Sequence, residues 1–129
     1  KAAGAKRALP LPVSAPFHSS LLQPASEKLK TYLESIEFHA PCIPVINNVD
    51  VTVLDNPAAI KDALVRQAAK PVRWQETIKA ISARGIKQVV ECGPGKVLAG
   101  LTKRIDDQLQ GLAITDEASL MDVLQQLKS

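Results

Sequence analysis

His18 is the residue in this chain best suited to move a proton near neutral pH. It is one of only two histidines and lies in the run Leu11-Pro-Val-Ser-Ala-Pro-Phe-His-Ser-Ser20, after an apolar stretch and a turn-forming proline. An α/β fold carries its reactive groups on such loops, just beyond the end of a strand. An imidazole there can act as general base for a nucleophile. No Gly-x-Ser-x-Gly elbow occurs in the 129 residues to supply that nucleophile. Ser19 and Ser20 follow directly, and adjacent side chains rarely converge, so a local dyad is not expected. On spacing alone, His18 is either part of a divided active site or a loop histidine with a local hydrogen bond.

Two other stretches have the residue types of a ligand site. Gly93-Pro-Gly-Lys-Val-Leu-Ala-Gly-Leu-Thr102 has the outline of a phosphate loop. Leu101 stands where the Walker pattern needs its lysine, and Leu98 where the dinucleotide pattern needs Gly or Ala. The favoured reading is a tight strand-to-helix turn whose glycines supply positive φ or close backbone approach. Free amides at the start of the following helix remain able to attract an anion. Asn47-Asn-Val-Asp50 ends an apolar run and is either a ligand-facing strand end or an Asn/Asp-stabilised turn. Arg66, Lys70, Arg73, Lys96, Lys103 and Arg104 are candidates for a basic rim facing an acidic partner, or else solvated surface.

The elements that position these groups follow from periodicity. Residues 7–13 read as an edge strand, because Pro10 and Pro12 exclude a central place in a ladder. Leu22, Ala25, Leu29, Tyr32, Leu33 and Ile36 mark a helix over 20–36. Residues 43–48 read as a short buried strand. Asn56-Pro57 opens a helix to Lys70 with Ile60, Leu64 and Ala68 inward. A further helix carries Trp74, a packing residue, with Ile78 and Ile81, and stops at Gly85. Then come a strand over 86–91, a turn at 93–95, a helix marked by Val97, Leu98, Leu101 and Ile105, and a strand over 112–115. The last helix is capped by Thr115 or Asp116 and carries Leu120, Val123, Leu124 and Leu127. Strands alternating with amphipathic helices predict an α/β fold with a parallel sheet flanked by helices.

Composition narrows the classes of function. Hydrophobic content is 46% and charged content 22%, ordinary for a globular domain, and aromatics are only 3%. The net charge of +3 is mild and dispersed, with few stacking partners, which argues against nucleic acid and suits an anionic substrate or acidic protein. Cys42 and Cys92 adjoin apolar runs and are expected to be buried, reduced thiols of a cytoplasmic protein; neither has metal-site spacing, so no metal is expected. No apolar stretch is long enough for a membrane span, and the start lacks a secretory core. The first residue is Lys1 rather than methionine, which points to a fragment or processed product. His39 is assigned only a local role.

Five strings together resemble the malonyl-CoA:acyl-carrier-protein transacylase family: Val13-Ser-Ala-Pro-Phe-His-Ser19, Pro44-Val-Ile-Asn-Asn-Val-Asp50, Leu64-Val-Arg-Gln67, Pro71-Val-Arg-Trp74 and Glu91-Cys-Gly-Pro-Gly-Lys-Val-Leu98. They stand in the family's order and cover nearly the whole chain, most closely resembling the enzymes of bacterial fatty-acid synthesis. The resemblance implies the C-terminal part of an α/β-hydrolase-like large subdomain over 14–129, with residues 1–13 finishing a ferredoxin-like small subdomain. It implies that the missing N-terminal part holds the nucleophilic serine, an oxyanion-hole glutamine and the malonyl-binding arginine. His18 then matches the catalytic base, and Gln67 the residue whose backbone carbonyl orients it. Phe17 is implied to favour malonyl over methylmalonyl, and Asn48 to lie near the substrate. The implied partners are malonyl-CoA, as substrate rather than resident cofactor, and acyl-carrier protein, met by the basic rim. Two rivals stand beside this reading: a non-catalytic module binding carrier protein or CoA, and an acyltransferase domain of a polyketide synthase.

Overall fold

The computed structural model describes residues 2–10 and 12–128. Among the described residues, five α-helices and two strands follow one another: α1 (Gln23–Glu34, entered through a 3-10 turn at Ser20–Leu22), α2 (Pro57–Ala69), α3 (Trp74–Ser82), β1 (Gln88–Cys92), α4 (Val97–Ile105), β2 (Gln110–Ile114) and α5 (Glu117–Lys128). The starts of α2 and α5 have a direct chemical cause. Asn56 Oδ1 accepts from Ala58 N at 2.9 Å and Ala59 N at 3.1 Å, and Pro57 fills the first helical position, where no N–H is needed. Asp116 Oδ1 accepts from Ser119 N at 2.8 Å, and Ser119 Oγ accepts from Asp116 N at 3.0 Å, a reciprocal cap that starts α5. Gly85, at φ 80°, supplies the left-handed turn after α3.

β1 and β2 are parallel, paired from Gln88 with Gln110 to Cys92 with Ile114, and α4 crosses between them as a βαβ unit. Gly111 makes this unit possible. A Cβ there would lie well inside contact distance of the Ala99 carbonyl oxygen on α4. Helix and strand backbones therefore touch, and only glycine fits. α4 and α5 both pack on β2, while α1 packs on α2. The second contact includes a hydrogen bond from buried Ser26 Oγ to Val65 O at 2.6 Å.

The α/β class with a small parallel sheet flanked by helices is present; two expected strands are not. The described residues of 7–13 form no strand, and Leu11 lies outside the described residues. Pro10 and Pro12 each remove a ladder donor. In 43–48 only Ile46 pairs, in an isolated antiparallel bridge with Val53. Pro44 interrupts the donors there, and Ile43 and Val45 are exposed. Cys42 and Cys92, expected to be buried, are exposed. Cys92 is the last residue of β1, and Cys42 sits in the irregular approach to Ile46.

The buried apolar set is small: Leu33, Ala63, Ala69, Ile78, Leu109 and Val123. Leu64, expected inward, is exposed, and so are Leu120, Leu124 and Leu127 of the apolar stripe on α5. The accessible surface is 9642 Å². A closed monomer of 13.8 kDa would expose roughly 6,600 Å². Two strands cannot cover the apolar stripes of five helices, and the excess surface is the result.

Candidate active site

The site forms where three segments meet at the end of α2. Gln67 lies in the last turn of α2, and the residue four positions on is Pro71, which has no N–H. The Gln67 carbonyl thus has no helical donor and must be satisfied otherwise. His18 Nδ1 lies 3.0 Å from it. A carbonyl only accepts, so Nδ1 carries the proton, and in the neutral ring Nε2 keeps its lone pair. His18 has φ 56°, a left-handed conformation uncommon outside glycine, imposed by the tight turn before the 3-10 segment. That turn is closed by Phe17 N donating to Ala15 O at 2.9 Å and Ser19 Oγ donating to Pro16 O at 2.8 Å. The Ser19 hydroxyl is therefore engaged with the backbone. Phe17 is exposed beside His18.

The 46–53 loop is the third segment. Asn47 closes its tip: its N–H donates to Thr52 O at 3.0 Å and its Oδ1 accepts from Asp50 N at 2.7 Å. Val51 has φ 60°, strained for a β-branched residue. Asn48 N donates to Gln67 Oε1 at 3.2 Å, and Asn48 O accepts from Arg73 N at 3.0 Å. Buried Thr77 donates its hydroxyl to Asn48 Oδ1 at 3.0 Å. Asp50 receives both Arg66 guanidinium nitrogens at 2.7 Å. The Arg66 guanidinium holds the Asp50 carboxyl below the usual carboxylate range, and Asp50 in turn pushes Arg66 up. A 310 Å³ apolar cavity lies beneath, lined by Phe38, Val45, Ile46, Leu54, Leu64 and Gln67 among others. His39 lines the same cavity.

His18, Gln67 and Asn48 are thus joined through one residue, Gln67. The six basic residues are not joined. Arg66 is committed to Asp50 and Asp62, and Arg73 to Glu76. Lys70, Lys96, Lys103 and Arg104 are exposed and form no ion pair among the described residues. Lys96 and Lys103 stand at opposite ends of α4, about 10 Å apart along its axis.

The 93–95 turn differs from expectation. Neither Gly93 nor Gly95 has positive φ, and a Cβ on either would meet open space. The turn is held by Gly93 N donating to Ile114 O at 3.2 Å, which extends the parallel ladder. The anion site at the start of α4 is taken: Glu91 Oε2 accepts from Ala99 N at 2.8 Å. The strand thus supplies the carboxylate that caps its own crossover helix. Sequence reading passed over this cap, as it did the Asp50–Arg66 pair and the Thr77–Asn48 bond. Pro71, four residues after Gln67, was the one available signal for an orphaned carbonyl. Among the described residues, no group of three or more His, Cys, Asp or Glu is placed to hold a metal ion, and no helix is long and apolar enough to cross a membrane.

Solved structures of malonyl-transferring enzymes share this fold. An acyl-carrier-protein S-malonyltransferase from Burkholderia pseudomallei is 64% identical, with a TM-score of 0.90 over 96% of this chain and 40% of that one. A malonyl-transacylase solved with a type II polyketide synthase acyl-carrier protein is 54% identical, with a TM-score of 0.92 over 97% of this chain and 40% of that one. Among curated relatives, the malonyl CoA-acyl carrier protein transacylase of Salmonella typhimurium is 54% identical over 126 residues, 98% of this chain and 41% of the relative. No family model matches. The chain matches the malonyl CoA-acyl carrier protein transacylases and spans about two fifths of their length.

Proposed function

We propose that these residues form the histidine half of a malonyl-CoA:acyl-carrier-protein transacylase active site, with His18 as general base and acid. The observation that carries this is the 3.0 Å contact of His18 Nδ1 with the Gln67 carbonyl. It leaves Nε2 to face a nucleophile that residues beyond this chain supply. In the first half-reaction, Nε2 takes the proton of a serine hydroxyl as its oxygen attacks the thioester carbonyl of malonyl-CoA. The C–S bond then breaks, and the imidazolium returns the proton to the CoA thiolate. In the second half-reaction, Nε2 takes the proton of the carrier protein's phosphopantetheine thiol. The sulfur attacks the carbonyl of the malonyl-serine ester, the C–O bond to serine breaks, and the imidazolium returns the proton to the serine oxygen. Gln67 acts throughout as the backbone acceptor that keeps the imidazole in one tautomer.

The remaining assignments belong to the same reading. Residues 1–13 finish a small subdomain and 14–129 belong to a large one. Phe17 crowds an α-methyl substituent and so favours malonyl, a discrimination of about 1–3 kcal/mol. Asn48 stands at the edge of the substrate. Carrier protein is met by those basic residues that form no ion pair among the described residues, Lys70, Lys96, Lys103 and Arg104, with Arg66 and Arg73 behind them. The protein works in the cytoplasm, a reducing compartment that suits the free Cys42 and Cys92.

The test is malonyl transfer from malonyl-CoA to holo-acyl-carrier protein by the product of the complete reading frame that contains these residues. His18→Ala is expected to lower the rate by about 10²-fold or more. Near-wild-type turnover in that variant contradicts the role. Salt-sensitive carrier-protein binding without transfer by a folded wild type would replace it with the binding-module reading.

A further inference from the structure

Gln67 is used twice. Its backbone carbonyl receives His18 Nδ1 at 3.0 Å, and its side-chain Oε1 receives Asn48 N at 3.2 Å. Asn48 is in turn tied to the start of α3 by its own carbonyl, which accepts from Arg73 N at 3.0 Å, and by its Oδ1, which accepts from Thr77 Oγ1 at 3.0 Å. Thr77 is buried, and its single hydroxyl proton is shared between Asn48 Oδ1 and Arg73 O, the latter at 2.9 Å. These bonds bracket the short link from α2 to α3, Lys70 to Arg73. That link carries Pro71, whose missing N–H frees the Gln67 carbonyl in the first place. A carbonyl released from its helical ladder at a corner needs something else to set its direction.

The two described non-glycine residues with positive φ, His18 and Val51, belong to the two loops that meet at Gln67. Such backbone is unfavourable on its own and persists where surrounding bonds over-determine it. On the Val51 side those bonds are the double Asp50–Arg66 contact, the Asn47 turn and the Asn48 ties.

We infer that the Gln67 side chain, held through Asn48 by Thr77, is a positioning group that aims the Gln67 carbonyl at His18. The inference rests on the general-base role proposed for His18 and adds to it a function for a side chain that the base–carbonyl pair does not itself require. Gln67 and Thr77 are positioning residues: neither side chain meets the reacting atoms, and each acts through the direction of one carbonyl.

The experiment uses the product of the complete reading frame with ¹⁵N-labelled histidine. It follows the ring-nitrogen shifts of His18 together with steady-state transfer to holo-acyl-carrier protein. In the wild type, Nδ1 carries the proton. Gln67→Leu keeps the backbone carbonyl and the side-chain bulk but removes the acceptor. It is expected to move the His18 ring signals toward the tautomer mixture of a free imidazole and to lower kcat by about 10- to 100-fold with little change in KM. Gln67→Glu keeps an acceptor oxygen at the same reach and is expected to restore the ring signals. Thr77→Val breaks the outer tie and is expected to shift the same signals in the same direction by less. It serves as the deciding variant if Gln67→Leu does not fold. Unchanged His18 signals in the deciding variant overturn the inference, whether or not the rate falls, because a merely structural loss lowers activity without retuning one imidazole. His18→Ala, run alongside, separates the two claims. If it leaves transfer intact, the base assignment fails; if it abolishes transfer while the Gln67 and Thr77 variants leave the ring signals alone, only the positioning role fails.

Discussion

Asp50 and Arg66 show how far a single residue pair shapes this corner. Their bidentate contact, 2.7 Å on each side, anchors the strained 46–53 loop to α2. The bonded guanidinium lowers the Asp50 pKa from its ordinary 3.8. A depressed carboxyl contributes stability that is fully present above the unfolded value. That stability is lost as pH falls through the folded one. Acid unfolding monitored by circular dichroism is therefore expected to begin near or below pH 4 in the wild type. Asp50→Asn, which cannot ionise, should be less stable at neutral pH and show a smaller loss on acidification. Equal acid sensitivity in the two proteins would mean that the pair contributes nothing to the fold. The pair was not legible in the sequence, since sixteen positions separate its members and only the turn at Asn47 and the last turns of α2 bring them together. His18 and Gln67 are a different case. The family strings named both residues, and the structure sets them 3.0 Å apart. What the strings did not convey is the side chain of Gln67, because its partner is a backbone N–H, which has no signature in residue identity.

The helices were legible because their caps and apolar spacing are local properties. Asn56-Pro57 and Asp116 start α2 and α5 where chemistry predicts. The strands were less so. A strand is defined by its partner, and the apolar run at 43–48 has only Val53 to pair with at Ile46. The βαβ unit depends on one residue whose reason lies in the packed structure: Gly111, pressed against the Ala99 backbone. Its φ is not positive, so no turn rule marks it. Gly111→Ala must push α4 off β2, and overpacking of this kind costs about 1–3 kcal/mol. A lower thermal midpoint is the expected outcome, with Gly100→Ala, where a Cβ meets open space, as the helical control. An unchanged midpoint in Gly111→Ala would show that the crossover helix is not seated as described.

Across the whole molecule, surface is the dominant fact. An accessible area of 9642 Å² exceeds that of a closed globule of this mass by roughly 3,000 Å². Exposed Ile43, Val45, Leu64, Leu120, Leu124 and Leu127 contribute apolar area to it. Helical periodicity marked most of these positions as inward-facing. It could not reveal whether the 129 residues alone supply the surface that covers them. The isolated chain is accordingly expected to bind an apolar fluorescent dye strongly, whereas the product of the complete reading frame should bind little. Equal, weak binding by both would mean that the excess area is not apolar enough to need cover. The proposed chemistry is divided in the same way, with the base among these residues and the nucleophile proposed to lie outside them.

Mass mapping of the covalent adduct formed when the product of the complete reading frame meets malonyl-CoA tests that division most directly, with wild type and His18→Ala compared in time. The expected product is a malonyl ester on a serine outside these 129 residues, formed rapidly in the wild type and about 10²-fold or more slowly without the imidazole. An adduct on Ser19, Ser20 or any other residue of this chain, or one that forms equally fast in His18→Ala, would contradict it.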